Sequence, residues 1–92
     1  MTVASARHIL VSTERECLQV KEKIEAGEDF AEIAKIHSTC PSKAQGGDLG
    51  KFGPGMMVKE FDEVVFSADL NTVQGPVKTQ FGYHLLEVTS RD

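Results

Sequence analysis

The sequence predicts an α+β fold, a four-stranded and mainly antiparallel sheet flanked by about four helices. Three observations carry this prediction. Stretches dense in β-formers lie near both ends of the chain, at residues 6–12 and 83–89. Two capped amphipathic segments follow one another between residues 13 and 38. The elements run strand, helix, helix, strand, helix, strand, strand, so that four short strands with helices inserted early fold around one sheet.

Ala6-Arg7-His8-Ile9-Leu10-Val11-Ser12 reads as the first strand, ending in polar turn residues. Thr13-Glu14-Arg15-Glu16 matches a capping box, in which hydroxyl and carboxylate satisfy free amides at a helix start. The helix runs to about Ala26, with Cys17, Val20 and Ile24 on one face and Gly27 as its stop. Asp29-Phe30-Ala31-Glu32 repeats the capping pattern. The second helix puts Phe30, Ile33, Ala34 and His37 on one face and ends near Ser38. Residues 38–50, rich in Gly and punctuated by Pro41, read as a loop long for so small a domain, which is a mark of function or disorder. A short strand, Gly50-Lys51-Phe52, leads into the turn Gly53-Pro54-Gly55. Residues 59–66 are helical, with Phe61, Val64 and Val65 together. Gly75-Pro76-Val77-Lys78-Thr79 is strand-like, Gln80-Phe81-Gly82 turns the chain, and residues 83–89 close the sheet. There is no internal repeat.

Ninety-two residues make a single domain, 1–92. A chain of this size buries only about 60–65% of the surface its unfolded form exposes, so the core has to be economical. With 40% hydrophobic and 26% charged residues the composition is that of a globular protein. The 14 acidic and 10 basic residues leave a net charge of −4. The cations are scattered from Arg7 to Arg91 without a basic stripe, which argues against nucleic acid and against an anionic membrane surface as partners. The start Met1-Thr2-Val3-Ala4-Ser5-Ala6 has no cationic segment followed by an apolar one, and the early apolar run Ile9-Leu10-Val11 is too short for a signal or a spanning helix. A cytoplasmic location is expected. There the two cysteines, Cys17 and Cys40, stay reduced, and a disulfide between them is weakly supported.

The reactive inventory is three histidines and two cysteines. His8 alternates with Ile9 in the first strand, and His84 shares a face of the last strand with Leu86 and Val88. First and last strands commonly pair at the centre of a small sheet, which brings the two rings together. From the strand pattern alone this is more often a hydrogen-bonded core pair than a chemical one. His37 and Cys40, with His8 and His84, supply zinc-type ligands but lack the paired short spacings of structural zinc sites, so no metal is expected. Cys40 with a histidine is a candidate thiol nucleophile, though no oxyanion-hole pattern accompanies it. His37 reads as a helix-end residue and Cys17 as core. Leu49, Met57, Phe61 and Phe81 lie beside glycines or at turns, outside the regular core stripes. They read either as core or as a pocket for an apolar ring.

Four stretches together resemble the parvulin-type peptidyl-prolyl isomerases. They are Arg7-His8-Ile9-Leu10-Val11; His37-Ser38-Thr39-Cys40-Pro41-Ser42; Gly46-Gly47-Asp48-Leu49-Gly50-Lys51-Phe52 continuing to Gly55-Met56-Met57-Val58-Lys59-Glu60-Phe61; and Gly75-Pro76-Val77-Lys78-Thr79-Gln80-Phe81-Gly82-Tyr83-His84. They recur in the family's order over nearly the whole chain. The resemblance implies an FKBP-like superfold and catalysis of X-Pro bond rotation, without cofactor or covalent intermediate. It implies that His8 and His84 are the paired histidines behind the substrate and that Thr79 hydrogen-bonds within their network. By the same resemblance Cys40 faces the isomerising amide, Leu49, Met57 and Phe61 wall the proline pocket, and Phe81 sits at its rim. One departure from the family's phosphate-directed branch matters. Its basic loop after the first strand is replaced here by Ser12-Thr13-Glu14-Arg15-Glu16, so no preference for phosphorylated substrates is expected.

The expected function is therefore acceleration of X-Pro rotation in polypeptides by a monomer. The alternatives are a non-catalytic proline-peptide-binding or chaperone module, and a thiol enzyme acting through Cys40.

Overall fold

A computed structural model of the chain describes residues 3–91. Met1, Thr2 and Asp92, the ends of the domain expected from the sequence, lie outside the described residues. The elements are β1 (Ala4–Val11), α1 (Glu14–Glu25), α2 (Phe30–His37), β2 (Asp48–Phe52), α3 (Lys59–Val65), β3 (Val73–Thr79) and β4 (Gly82–Arg91), with a 3₁₀ helix, Pro41–Gln45, between α2 and β2. The helices expected from the sequence are thus three α-helices and one 3₁₀ segment.

Of each predicted capping box, the half made by the N-cap side chain forms. Thr13 Oγ1 accepts the Glu16 N–H at 3.2 Å, and Asp29 Oδ2 accepts the Glu32 N–H at 3.1 Å. Gly27 ends α1 with a positive φ of 107°. This turns the chain so that its own N–H reaches Ile24 O and that of Glu28 reaches Lys23 O.

The sheet has the order β2-β1-β4-β3, with every neighbouring pair antiparallel. The first and last strands are therefore its two central strands. Side chains alternate across them, and both faces are buried. Ile9, Val11 and Leu85 pack on one side against Cys17 and Val20 of α1 and Phe30, Ile33 and Ala34 of α2. Ala4, Ala6, Leu86 and Val88 pack on the other against Phe52 and against Phe61 and Val65 of α3. Leu85 and Leu86, adjacent and both fully buried, each anchor one of these half-cores, and burial of such a side chain contributes about 1.5–3 kcal/mol.

Two polar ties hold the layers. Arg7 donates through Nε to Glu87 Oε1 at 2.6 Å across the central strands while its guanidinium lies 4.5 Å above the Phe30 ring. Arg91 Nη1, at the end of β4, donates to Val65 O and Ala68 O and so closes the end of α3. Among the described residues no helix is long and apolar enough to cross a membrane.

The region read as a loop departs most from expectation. It holds the 3₁₀ helix, and β2 starts at Asp48 rather than Gly50. The cause is tertiary: Asp48 pairs with Arg7 of β1, and Gly47 O accepts the His8 N–H at 2.9 Å. A Cβ on Gly47, whose φ is +87°, would overlap the His8 carbonyl oxygen, so this close approach requires glycine.

Candidate active site

Register brings the two histidines together. His8 is paired with Leu86, and His84 lies two residues from Leu86 on the same strand, so the imidazoles are diagonal neighbours on the α3 face. Their Nδ1 atoms are 3.1 Å apart, with ring planes tilted by only 17°. Both rings are buried. Phe61 of α3 meets each of them edge-on, at centroid distances of 5.6 and 5.7 Å.

The outer nitrogens are also satisfied. His8 Nε2 is 3.1 Å from Ser42 Oγ on the 3₁₀ helix, and His84 Nε2 is 2.7 Å from Thr79 Oγ1 at the end of β3. Thr79 Oγ1 in turn accepts the Phe81 N–H at 3.2 Å. A continuous chain thus runs from Ser42 through both rings to the β3–β4 turn. Two Nδ1 atoms at this separation share one hydrogen, which requires one of them to be bare and is met with both rings neutral and oppositely protonated at Nδ1. Burial enforces that neutrality. It draws the His8 pKa down to about 4, helped by repulsion from a charged His84, and it lowers His84 as well.

Cys40 is placed by its neighbours. Ser38 is buried and its Oγ accepts both the Leu10 N–H at 3.1 Å and the Cys40 N–H at 3.3 Å. Thr39 N–H donates to Leu10 O at 2.8 Å, which staples this segment to β1. Cys40 then stands immediately before Pro41, the first residue of the 3₁₀ helix. Cys17 is elsewhere, buried in the α1–α2 half-core with its thiol pushed up to about 11, chiefly by burial. Both thiols are free.

In front of the histidine pair lies a cavity of about 360 Å³. Its walls are Leu10, Leu49, Met57, Val58, Phe61 and Phe81, with Thr39, Cys40, Pro41, His8 and His84 completing the lining. Phe81 is 62% exposed at the mouth. Of the residues that the sequence marks, His8, Cys40, Leu49, Met57, Phe61, Phe81 and His84 meet at this cavity, whereas Thr79 stands behind it as a hydrogen-bond partner. His37 is not brought to it. It borders a separate surface depression with Thr13, Arg15 and Lys23. Among the described residues, no three His, Cys, Asp or Glu side chains converge to hold a metal ion.

Sequence reasoning missed Ser38, Ser42, Leu10 and Val58. Ser38 and Ser42 sit two residues either side of Cys40, and this symmetric flanking was the signal available. Leu10 and Val58 carried none, since an aliphatic beside a cavity looks in sequence like one in a core.

The family model described as "Rotamase: PPIC-type PPIASE domain" matches residues 7–90, which contain every residue of this cavity. The chain belongs to the PPIC-type peptidyl-prolyl isomerase family. Within that rotamase family it is 49% identical over 88 residues to the foldase protein PrsA of Geobacillus kaustophilus, covering 95% of this chain and 31% of that protein. The crystal structure of PrsA from Bacillus subtilis superposes with a TM-score of 0.92 at 39% identity, over 96% of this chain and 35% of that one. The solution structure of NmPin, the parvulin of Nitrosopumilus maritimus, gives a TM-score of 0.87 at 37% identity and covers 98% of both chains. The chain thus spans about a third of the length of the curated PrsA relatives it matches.

Proposed function

We propose that this domain accelerates cis/trans rotation of X-Pro bonds in polypeptides by holding the proline ring in the cavity before the neutral histidine pair. The observation that carries this is the cavity's chemistry: an apolar bowl walled by Leu49, Met57 and Phe61, with an ordered polar floor and a single thiol at its edge.

Rotation of an X-Pro amide faces a barrier of about 18–20 kcal/mol from resonance in the C–N bond. No bond needs to break. A roughly 10⁴-fold acceleration needs only about 5.5 kcal/mol more binding to the twisted amide than to the planar one. Burying the proline ring supplies about 1.5–3 kcal/mol of anchoring. In the twisted state the nitrogen regains its lone pair and the carbonyl loses conjugation, so a dry, apolar surround that offers the planar amide no water favours rotation. His8, His84 and Thr79 hold the shape of the floor. Neutral rings add no charge that would bind the more polar planar amide. Cys40 borders the rotating carbonyl and tunes its surroundings without attacking it. Phe81 at the mouth packs against residues flanking the proline.

The substrates are proline-containing segments of other proteins. A cytoplasmic location and a monomeric state are part of this reading; the two free thiols fit a reducing compartment, and fractionation and light scattering test the two points. NMR exchange spectroscopy with an apolar-X-Pro peptide tests the activity. Exchange cross-peaks that grow with catalytic amounts of the domain are expected. Chemical-shift changes at the cavity with unchanged exchange would make it a peptide-holding module instead. The same assay with Ser-Pro and phospho-Ser-Pro peptides should give comparable acceleration, because Thr13, Glu14, Arg15 and Glu16 provide one cation between two carboxylates.

A further inference from the structure

We propose that Asp62 is a positioning residue, which sets Met57 against Phe61 and so fixes the gap between two of the walls that grip the proline ring. Met57 reaches the cavity from the connection between β2 and α3, and that connection has few ties of its own. Two of its hydrogen bonds are internal: Met56 N–H donates to Gly53 O at 3.3 Å, and Gly53 N–H donates to Met56 Sδ at 3.2 Å. Pro54, Gly55 and Met56 are exposed, so little packing holds them. Among the described residues, the hydrogen bond that ties residues 53–57 to another element is Gly55 N–H to Asp62 Oδ1, at 3.2 Å.

Asp62 holds the segment from both sides. Its own N–H donates to Val58 O at 2.9 Å and closes the first turn of α3. Gly55 and Val58 bracket Met56 and Met57, so one residue grips the chain before and after the cavity methionine. Phe61, the residue before Asp62, is buried and meets both imidazoles edge-on. A wall held by packing and a wall held by this one tie therefore meet at Asp62.

The backbone half of the grip is open to any side chain, whereas the other half needs an acceptor oxygen on a short stem. Without it the Gly55 N–H turns to water, and the segment that carries Met57 is held at its α3 end alone. A carboxylate in the first turn also favours the helix through its dipole, a role that Glu60 shares. The two roles separate chemically: the dipole responds to charge, and the Gly55 contact needs only the oxygen.

Four variants of the full chain test this: Asp62→Ala, Asp62→Asn, Met57→Ala and the double variant with Ala at both positions. Amide–water exchange at Gly55, measured by NMR, and titration with an apolar-X-Pro peptide are the two readouts. Asp62→Ala should speed Gly55 exchange and weaken peptide binding by about two- to fivefold, the weight of one hydrogen bond. Asp62→Asn, which keeps the oxygen and loses the charge, should restore both. With Met57 already replaced by Ala, Asp62→Ala should cost little further affinity, because it acts through a side chain that is gone. Unchanged Gly55 exchange in Asp62→Ala, an Asn variant as weak as the Ala variant, or an equal loss in the Met57→Ala background would overturn the assignment. The affinity arm rests on the proline-pocket reading, whereas Gly55 exchange is read without substrate. A wild type that neither binds nor isomerises the peptide refutes that reading, and the exchange arm still decides whether Asp62 holds the segment.

Discussion

Acid should unfold this domain earlier than its carboxylates alone would. His8 is 5% exposed, and burial holds its pKa at about 4 against 6.5 for an ordinary histidine. Between those two values the unfolded chain binds a proton at this residue and the folded chain does not. Stability therefore falls as pH falls through the window, and it is fully present only above about pH 7. From the two pKa values, His8 alone removes about 2 kcal/mol between pH 7.5 and pH 5, above the range where carboxylates ordinarily titrate. His84, lowered in the same direction, adds to the loss. Since small domains are stable by only about 5–15 kcal/mol, this is a large fraction. Urea unfolding followed at half-unit pH steps measures it, and NMR titration of the His8 ring gives the folded pKa directly. A stability that is flat from pH 7.5 to 5, or a folded His8 that titrates above pH 6, would refute the claim that the pair is held neutral by burial.

Met57→Ala should weaken binding of an X-Pro peptide by about fivefold, corresponding to about 1 kcal/mol of lost ring contact. Met57 is only partly buried at the cavity wall, so unfolding free energy should change by less than about 1 kcal/mol; peptide titration and urea unfolding read the two effects. Gly47→Ala should cost at least about 2 kcal/mol in the same unfolding assay, because a left-handed φ and an overlap with the His8 carbonyl act together. Cys40→Ser should lower turnover by about two- to tenfold without abolishing it, as expected for a group that tunes the local field. Mass spectrometry of wild-type protein during turnover should find no acyl adduct on Cys40, and finding one would restore the nucleophilic reading.

Much of the fold is legible in local pattern. Thr13 and Asp29 announce two helix starts because the atoms that satisfy the free amides are three residues away in the chain. The β-formers around His8 and His84 announce two strands, although only the helices packed on either side show that both their faces are buried. The limits of β2 were not legible, since Asp48 and Leu49 enter the strand only through pairing with β1, a contact made across some 40 positions of sequence. The 3₁₀ helix was hidden for the same reason, being closed by Gly47 and by its tie to His8.

By itself the sequence determined which residues could serve a proline site: two imidazoles on apolar strand faces, a loop thiol, and apolar side chains at glycine-rich turns. Tertiary structure alone decided that these make one site. Antiparallel register sets His8 diagonal to His84, α3 lays Phe61 across both rings, and the 3₁₀ helix brings Ser42 to His8 Nε2. It also excluded His37, which the helical spacing placed with the core face of α2 but which lies at a separate surface depression. The physical reason is that periodicity fixes which face of an element a side chain occupies, whereas hydrogen-bond partners and desolvation depend on what other elements bring to that face.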